Sequence, residues 1–337
     1  MNSPTSGHRP WPYPDPEEDA DRGRTLADLG EFRLIDLITR GLPAHDQVEL
    51  GPGDDAAIIT SRGGRTLVSV DTLVEGVHFR RDWSGPLAIG RKAVAVNVAD
   101  MEAMGATPIG LVLSFSAPGD LSVSWVRYLV QGVREEGERT GAALIGGDIT
   151  SARDITIAIT VLGDVGESGP VTRAGARPGE LVALCGRVGW AAAGLAALSH
   201  GFRSPRAVVE AQQTPTPPYG QGRVAAEAGA GAMIDISDGL LADLGHIAER
   251  SGVSIDVHRA ALGLPEPLEA VGKATGTDPA VFLLTGGEDH ALAATFPAGP
   301  VPPGWTVIGT VGAADGQPAV TVDGAIWEGT TGYDHFH

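Results

Sequence analysis

The sequence predicts an α/β (α+β) protein made of two alternating halves. Short apolar runs with strand composition alternate with helical stripes along the chain. A segment rich in glycine and proline, residues 167–180, separates two such alternations. The chain has 337 residues, which is more than the roughly 250–300 residues that one hydrophobic core usually holds. We therefore predict a disordered N-terminal tail at 1–28, an N-terminal domain at 29–166 and a C-terminal domain at 167–337.

Composition narrows the class of function. The net charge is −18, the pI is about 4.8, and Lys92 and Lys273 are the only lysines. A nucleic-acid-binding protein needs the opposite charge. The single cysteine, Cys185, excludes an internal disulfide and a thiolate metal cage. No stretch has the roughly 18 apolar residues of a membrane span, and the N-terminus lacks the apolar core of a signal peptide. A cytoplasmic protein is the expectation.

In the first half, the pattern predicts order from about Leu29, beginning with a helix whose stripe includes Ile35 and Ile38. A long helix should begin near Pro86 and end by Gly105. A second, amphipathic helix is expected over 121–141. Strands are expected at 56–60, 66–71, 109–117, 142–148 and 154–165.

The second half predicts helices at 190–199 and 238–252, the latter capped by Ser237 or Asp238. Strands are expected at 181–186, 232–237, 254–257, 290–296 and 305–312. A proline-rich stretch, 212–222, reads as a loop.

Acidic residues recur beside glycine-rich turns, in a pattern that suggests one site assembled from several loops. Six of the candidate aspartates follow short apolar runs or lie in turns, whereas Asp100 lies inside the long apolar helix. Any one of them is explained as a turn residue or cap, but as a group, with hardly any basic residue nearby, they would repel one another and raise each other's pKa. The set is Asp54, Asp55, Asp71, Asp100, Asp148, Asp235 and Asp238.

Divalent cations would remove that repulsion. Carboxylates together with the hydroxyls of Ser69, Thr72 and Ser237 are hard oxygen ligands, which favour Mg²⁺, Mn²⁺ or Ca²⁺ over zinc. Because Mg²⁺ usually shares its coordination between a few carboxylates and substrate phosphates, a polyphosphate such as ATP is the expected partner.

Two common phosphate-binding motifs are absent from the sequence. The chain has no G-x-x-x-x-G-K-[ST] motif. The glycines of "LCGRVGWAAAG" miss the G-x-G-x-x-G spacing of dinucleotide-binding turns. Glycine-turn amides, a metal ion and Arg173, in the segment between the halves, remain as candidates for holding phosphate.

Several motifs, read together and in order, resemble the thiamine-monophosphate kinase family of the aminoimidazole-ribonucleotide-synthetase-like superfamily. They run from about Gly30 to Phe336 and are "GPGDDAA", "VSVDTLVEGVHF", "RKAVAVNVADMEAMGATP", "IGGDIT", "TRAGARPGE", "IDISDGLLADLGHIA", "LTGGEDH" and "GYDHF". The resemblance implies an N-terminal mixed sheet with helices that binds ATP and Mg²⁺ and forms a homodimer, followed by a C-terminal α/β domain. It also implies phosphorylation of thiamine phosphate to thiamine diphosphate by ATP, the last step of thiamine diphosphate synthesis, with several Mg²⁺ ions.

The resemblance also implies roles for individual residues. Metal ligands would be Asp55, Ser69, Val70 through its backbone oxygen, Asp71, Asp100, Asp148, Asp235 and Asp238. ATP contacts would be Gly147, Asp148, Arg173 and Ser237, and thiamine phosphate contacts would be His78, Glu288 and Tyr333. Ordinary alternatives exist for the last three: a turn cap, a glycine-turn residue and packing of the C-terminus. The loop 214–222 departs from the basic pattern of many relatives, which leaves its role open.

The mechanism expected from these residues is direct in-line transfer without a catalytic acid or base, because the acceptor is already an anionic phosphate. Catalysis would then be positioning and electrostatic stabilisation. Rivals within the superfamily are purine synthesis, selenophosphate synthesis and hydrogenase maturation, whose cysteine signatures or motifs match less well. A catalytically silent metal-binding module is the alternative from another class.

Overall fold

The computed structural model describes residues 23–42, 45–52 and 57–333, and gives the backbone alone at residues 31 and 32. In these residues the helices are α1 Leu26–Leu29, α2 Glu31–Thr39, α3 Pro86–Ala103, α4 Val123–Thr140, α5 Trp190–Ser199, α6 Arg206–Gln213, α7 Gln221–Glu227, α8 Leu240–Ser251, α9 Arg259–Leu262, α10 Glu266–Thr275 and α11 Pro279–Thr285. The strands are β1 Val48–Leu50, β2 Ile58–Ile59, β3 Thr66–Val74, β4 Thr107–Ala117, β5 Ala143–Ser151, β6 Thr156–Asp164, β7 Leu181–Cys185, β8 Met233–Asp235, β9 Val253–Val257, β10 Leu292–Phe296, β11 Thr306–Ala313, β12 Val320–Val322 and β13 Ala325–Ile326.

A four-stranded sheet with the order β3-β6-β4-β5 organises the first half. Its pairs are antiparallel except for β4 and β5, which are parallel. Alternate residues of β6, among them Ile157 and Ile159, are fully buried against the helices α3 and α4. These two helices lie very close together, because a Cβ on Gly90 would be 2.1 Å from the carbonyl oxygen of Leu129. The other face of the sheet is open, so the half has one helical layer and one sheet layer.

Three strands of this sheet, β3, β4 and β5, are longer than predicted, whereas β6 is shorter. β3 continues past Asp71 and pairs with β6 as far as Val74, and Asp148 lies within β5. Asp71 and Asp148 are therefore strand residues, and the expectation that each stops a strand is wrong. An aspartate does not end a strand when the neighbouring strand continues to provide backbone hydrogen bonds.

A seven-stranded sheet with the order β13-β12-β9-β11-β7-β10-β8 organises the second half. All its pairs are antiparallel except β12 with β9. The predicted strands and helices of this half are present, and the sequence did not predict α6, α7, α9, α10, α11 or the last two strands. Residues 165–180, with no helix or strand, connect the two sheets.

The start of α8 differs from the prediction. The N-cap is Gly239, at φ 137°, and no side chain caps the helix from that position. Instead, the Asp243 carboxylate inside the helix accepts the backbone N–H groups of Asp238 and Gly239, at 3.1 and 3.0 Å. The prediction that Ser237 or Asp238 caps this helix is therefore wrong, and neither side chain is used as a cap.

Two further segments, α1 and the proline-rich loop, pack on the first half. Thr25 forms a capping box with Asp28 at the start of α1, so described structure begins ahead of Leu29, while residues 1–22 of the predicted tail lie outside the described residues. In the proline-rich loop, the backbone N–H groups of Gly220 and Gly222 donate to the buried Glu102 carboxylate, at 2.7 and 2.9 Å.

None of the described helices has the length and apolar character needed to cross a membrane.

Candidate functional site

Aspartates from both halves of the chain meet at one place. Asp71 comes from β3 and Asp100 from α3, whereas Asp235 ends β8 and Asp238 lies in the turn that follows it. Asp71 interacts electrostatically with Asp235 and Asp238, and Asp100 interacts with Asp71 and Asp235. We call these four residues the acid cluster. The helix α3 contacts both β3 and β8, which explains how the two halves bring them together.

Hydrogen bonds fix the half of the cluster that β3 and α3 supply. The backbone N–H of Asp71 donates to the Asn97 side-chain oxygen at 2.8 Å, and the Asn97 amide donates to the carbonyl of Ala93 at 2.8 Å. The Ser69 hydroxyl donates to the Asp100 carboxylate. Ser69 and Asp71 are two residues apart on a strand, so both side chains face α3.

Burial and mutual repulsion disfavour negative charge in this cluster. Burial raises the pKa of Asp100 to about 7; the charges of Asp235 and Asp71 act in the same direction, and the hydrogen bond from Ser69 opposes them. Burial also raises the pKa of Asp71, with His290 opposing and Asp235 and Asp238 adding to the rise. Carboxylates held this way favour a cation among them.

A buried histidine lies against the cluster. His290 Nδ1 is 3.0 Å from an oxygen of Asp235, and both side chains are buried. Burial by itself would lower the pKa of His290, but the hydrogen bond and charge of Asp235, with smaller contributions from Glu288 and Asp71, outweigh it and the pKa is raised. The raised pKa favours the protonated, positively charged form of His290 beside this side of the cluster.

The turn that carries Glu288 and His290 is held in an unusual backbone conformation. Both residues have positive φ, 65° and 53°, a region that residues other than glycine rarely adopt. The N–H of Glu288 donates to the carbonyl of Ser237, and the N–H of His290 donates to that of Ile236, each at 2.8 Å. The 286–290 turn is thus pinned to the 235–238 turn of the acid cluster, and strain of this kind is common at functional sites.

Two of the predicted substrate-contacting residues lie together around Lys92. The Lys92 ammonium, 2% exposed, donates to the Glu288 carboxylate at 2.8 Å and to the carbonyl of His78 at 3.0 Å. The third predicted residue, Tyr333, lies next to the cluster through its backbone, because its N–H donates to the carbonyl of Asp238 at 3.0 Å. Its side chain is exposed.

The remaining predicted residues are further away or lie outside the description. Gly147 is level with Asp71 in the sheet register but three strands away, which is about 14 Å at the usual strand spacing. Asp148, the next residue, points to the opposite face, as does the half-exposed Val70. Arg173 is exposed in the segment between the sheets. Asp54 and Asp55 lie outside the described residues.

Sequence reasoning missed four polar residues of the site, each with a weak signal in the sequence. Lys92 is one of two lysines, Asn97 lies one helical turn before Asp100, and His290 ends the "GGEDH" motif. Asp243, like Asn97, is a polar residue with apolar neighbours along its helix. Burial raises the pKa of Asp243 to about 7, the charges of Asp235 and Asp238 add to the rise, and its backbone hydrogen bonds oppose it.

The donor set fits Mg²⁺. Across residues 23–42, 45–52 and 57–333, no three His, Cys, Asp or Glu side chains converge tightly enough to form a preformed metal cage. Mg²⁺ does not need one, since it is usually bound by one or two carboxylates together with waters and substrate phosphates. The carboxylates of the acid cluster and the Ser69 hydroxyl are hard oxygen donors of that kind.

Comparison with known proteins identifies relatives of the whole chain. Residues 53–165 match the model of the family described as AIR synthase related protein, N-terminal domain. The chain is 48% identical to a thiamine-monophosphate kinase of Mycobacterium tuberculosis, covering 93% of each chain. It is 42% identical to a thiamine-monophosphate kinase of Corynebacterium glutamicum, covering 92% of this chain and 94% of the relative.

Solved structures agree on the fold. AaThiL complexed with AMPPCP and TMP superposes with a TM-score of 0.73 at 32% identity, covering 92% of this chain and 98% of that one. Hydrogenase maturation protein HypE in complex with ATP superposes with a TM-score of 0.70 at 20% identity, covering 88% and 94%, and at that identity shows the fold alone. The predicted α/β class and aminoimidazole-ribonucleotide-synthetase-like fold are thereby confirmed.

Proposed function

The chain belongs to the thiamine-monophosphate kinase family, and we propose that it transfers the γ-phosphoryl group of ATP to thiamine phosphate, giving thiamine diphosphate and ADP. The observation that carries the proposal is the acid cluster. It is assembled from both halves of the chain. The 286–290 turn links it to a second group of residues, because His290 of this turn contacts Asp235 and Glu288 of the same turn pairs with Lys92. A site for two phosphorylated substrates needs such a combination of oxygen ligands and a separate recognition surface.

The acid cluster would hold Mg²⁺ through the carboxylates of Asp71, Asp100, Asp235 and Asp238, with Ser69 as a further oxygen donor. We propose several ions per site, with Asp55, Val70 and Asp148 contributing as well. When bound, the metal supplies positive charge that offsets the carboxylates and the phosphates. The raised pKa values of Asp71 and Asp100 support this assignment, because burial, with the neighbouring carboxylate charges adding to it, disfavours their charged forms and a bound cation would offset both effects.

Recognition of the two substrates is divided between residues. We assign Gly147, Asp148, Arg173 and Ser237 to ATP, and His78, Glu288 and Tyr333 to thiamine phosphate. The AMPPCP in the AaThiL complex is an analogue of ATP, which supports ATP as the phosphoryl donor here. A carboxylate such as Glu288 suits both the cationic thiazolium and the amino group of the pyrimidine.

The reaction needs no side chain as acid or base. A phosphate oxygen of thiamine phosphate attacks the γ-phosphorus as the bond to the β-phosphate oxygen breaks, and ADP leaves. The attacking oxygen is already anionic near neutral pH. The chain's contribution is to orient two anions in line and to exclude water around them.

A homodimer through the open face of the four-stranded sheet is part of the proposal. Val68 and Val70 on β3 are 60% and 57% exposed on that face. Apolar residues repeated on one sheet face are typical of a protein interface.

We also propose that the two sheets define separate domains, 29–166 and 167–337.

The test is a turnover assay with the purified protein, ATP, Mg²⁺ and thiamine phosphate, with thiamine diphosphate followed by chromatography. Product should form from thiamine phosphate, not from free thiamine, and EDTA should abolish it. ATP binding without product from thiamine phosphate would refute the acceptor assignment. It would return the acceptor to the other reactions that this fold supports.

A further inference from the structure

Lys92 is a buried lysine, which is unusual for a charged side chain. The other lysine, Lys273, is exposed at the surface and pairs with Glu269 on the same helix at 3.2 Å. Lys92 is almost fully buried. A buried ammonium is costly unless it is paired and hydrogen-bonded, so its surroundings should show what it is for.

All three donor hydrogens of Lys92 have acceptors. They are Glu288 Oε1 at 2.8 Å, the carbonyl of His78 at 3.0 Å and the carbonyl of Gln212 at 3.4 Å. An ammonium has three donors and no acceptor, so Lys92 has no hydrogen left for a substrate phosphate. It therefore acts through the groups that it holds.

Those groups come from separate parts of the fold. Lys92 itself lies on α3, and His78 lies in the turn after β3 in the same half of the chain. Glu288 belongs to the turn before β10 and Gln212 to the end of α6, both in the other half. Lys92 thus connects the two proposed thiamine phosphate contacts, His78 and Glu288, across the two halves.

Glu288 is left with one oxygen for a ligand. Lys92 takes Oε1, and within the described part of the chain no group donates to Oε2. The Glu288 side chain is 33% exposed, and its backbone is fixed by the bond from its N–H to Ser237. A carboxylate anchored at one oxygen presents the other in a defined direction, as recognition of an amino group requires.

We propose that Lys92 is a positioning residue that makes Glu288 and the His78 turn into one recognition surface for thiamine phosphate. This inference rests on the proposed function and refines it. It assigns Lys92 to acceptor recognition and not to ATP.

The test compares Lys92→Met with the matched control Lys273→Met. Losing one partner of a buried charge pair should lower kcat/KM for thiamine phosphate by about 30-fold or more. The KM for ATP should stay within about twofold. Lys273→Met should leave both constants unchanged, since exposed pairs contribute little. An equal decrease in kcat/KM for thiamine phosphate and for ATP would overturn the proposal. So would a lower melting temperature with unchanged kinetic constants for both substrates.

A double variant tests whether Lys92 acts through Glu288. Glu288→Gln alone should lower kcat/KM for thiamine phosphate. In the double variant, the fold decrease in kcat/KM should be much smaller than the product of the decreases in the two single variants. Independent, multiplying effects would mean that Lys92 does not position Glu288.

A measurement on the unsubstituted protein covers the case in which Lys92→Met does not fold. ¹⁵N-lysine labelling gives two side-chain ammonium signals. The Lys92 signal should shift with thiamine phosphate and much less with AMPPCP, while the Lys273 signal stays in place. No selective shift would refute the assignment. Failure of the proposed function is seen separately, as an absence of thiamine diphosphate from the unsubstituted enzyme.

Discussion

Replacing Asp100 by asparagine should stabilise the metal-free protein and abolish its activity. Burial together with the charges of Asp235 and Asp71 raises the pKa of Asp100 to about 7 from its ordinary 3.8. Asparagine has nearly the same shape and keeps an oxygen that can accept the Ser69 hydrogen bond. It removes the charge that opposes folding and also the charge that binds Mg²⁺, so stability and activity should change in opposite directions.

The magnitude follows from linkage between protonation and folding. Between the two pKa values, the folded state holds a proton that the unfolded state has lost, so stability is greater at low pH and declines as pH rises towards about 7. For a folded pKa of about 7, Asp100 alone should contribute a loss of about 1.4 kcal/mol to the stability of the wild-type protein between pH 6 and pH 8. Asp100→Asn cannot lose this contribution, because asparagine does not titrate.

The assay is urea unfolding in EDTA at pH 6 and pH 8, both above the pI of about 4.8. The gain in unfolding free energy of Asp100→Asn over wild type should be larger at pH 8 by about 1.4 kcal/mol, and saturating Mg²⁺ should shrink it. Asp120→Asn, at an exposed aspartate before α4, is the control and should show no such difference. A pH-independent gain, or full activity in Asp100→Asn, would refute the reasoning.

Three further predictions follow from single contacts. Asp71→Asn should lose most activity without a displaced pH optimum in the turnover assay, whereas a shifted profile with surviving activity would indicate proton transfer. Gly147→Ala should lower the midpoint of thermal unfolding, because a Cβ would lie 2.2 Å from the carbonyl oxygen of Leu113, at a cost of about 1–3 kcal/mol; an unchanged midpoint would contradict this. Tyr219→Phe should cost about 1–3 kcal/mol in urea unfolding, because its hydroxyl donates at 2.7 Å to Glu136, which is fully buried. Tyr128→Phe, at an exposed tyrosine, is the control, and equal losses would contradict the role of that hydrogen bond.

The sequence predicted elements well where local signals mark their ends. The long helix α3 begins at Pro86 and ends at Ala103, close to the predicted limits, because proline at the first position and Gly105 after the end are local features. The length of β3 was underestimated, because pairing with β6 decides it and the partner of Asp71, Ile159, lies 88 residues further along the chain, where it leaves no mark beside Asp71. The cap of α8 was misassigned for a similar reason, since Asp243 reaches back to Gly239 only once the turn has formed.

The composition of the site was partly predictable and its geometry was not. Acids after short apolar runs or in turns, together with Asp100 inside an apolar stretch of helix, identified Asp71, Asp100, Asp235 and Asp238 as candidates, and these four do meet. The same pattern could not distinguish these four residues from Asp148, which lies three strands from Asp71 and on the other face of the sheet. The buried partners of the acids were missed because a lone lysine or histidine in a sequence is usually an exposed or packing residue, and burial depends on the other half of the chain.

The repulsion within the acid cluster has to be offset by other contacts between the two halves of the chain. Asp71 and Asp100 on one half face Asp235 and Asp238 on the other, so in the absence of metal their charges push the halves apart. Part of the attraction that opposes this comes from His290, which interacts favourably with Asp71 and Asp100. The rest comes from contacts beside the cluster: Lys92 with Glu288, and the loop 214–222 with Glu102 and Glu136. These contacts hold the aspartates close enough for shared ions before any ion is bound. The carboxylates can therefore be arranged for charge neutralisation in the reaction, because other residues carry the task of keeping the halves together.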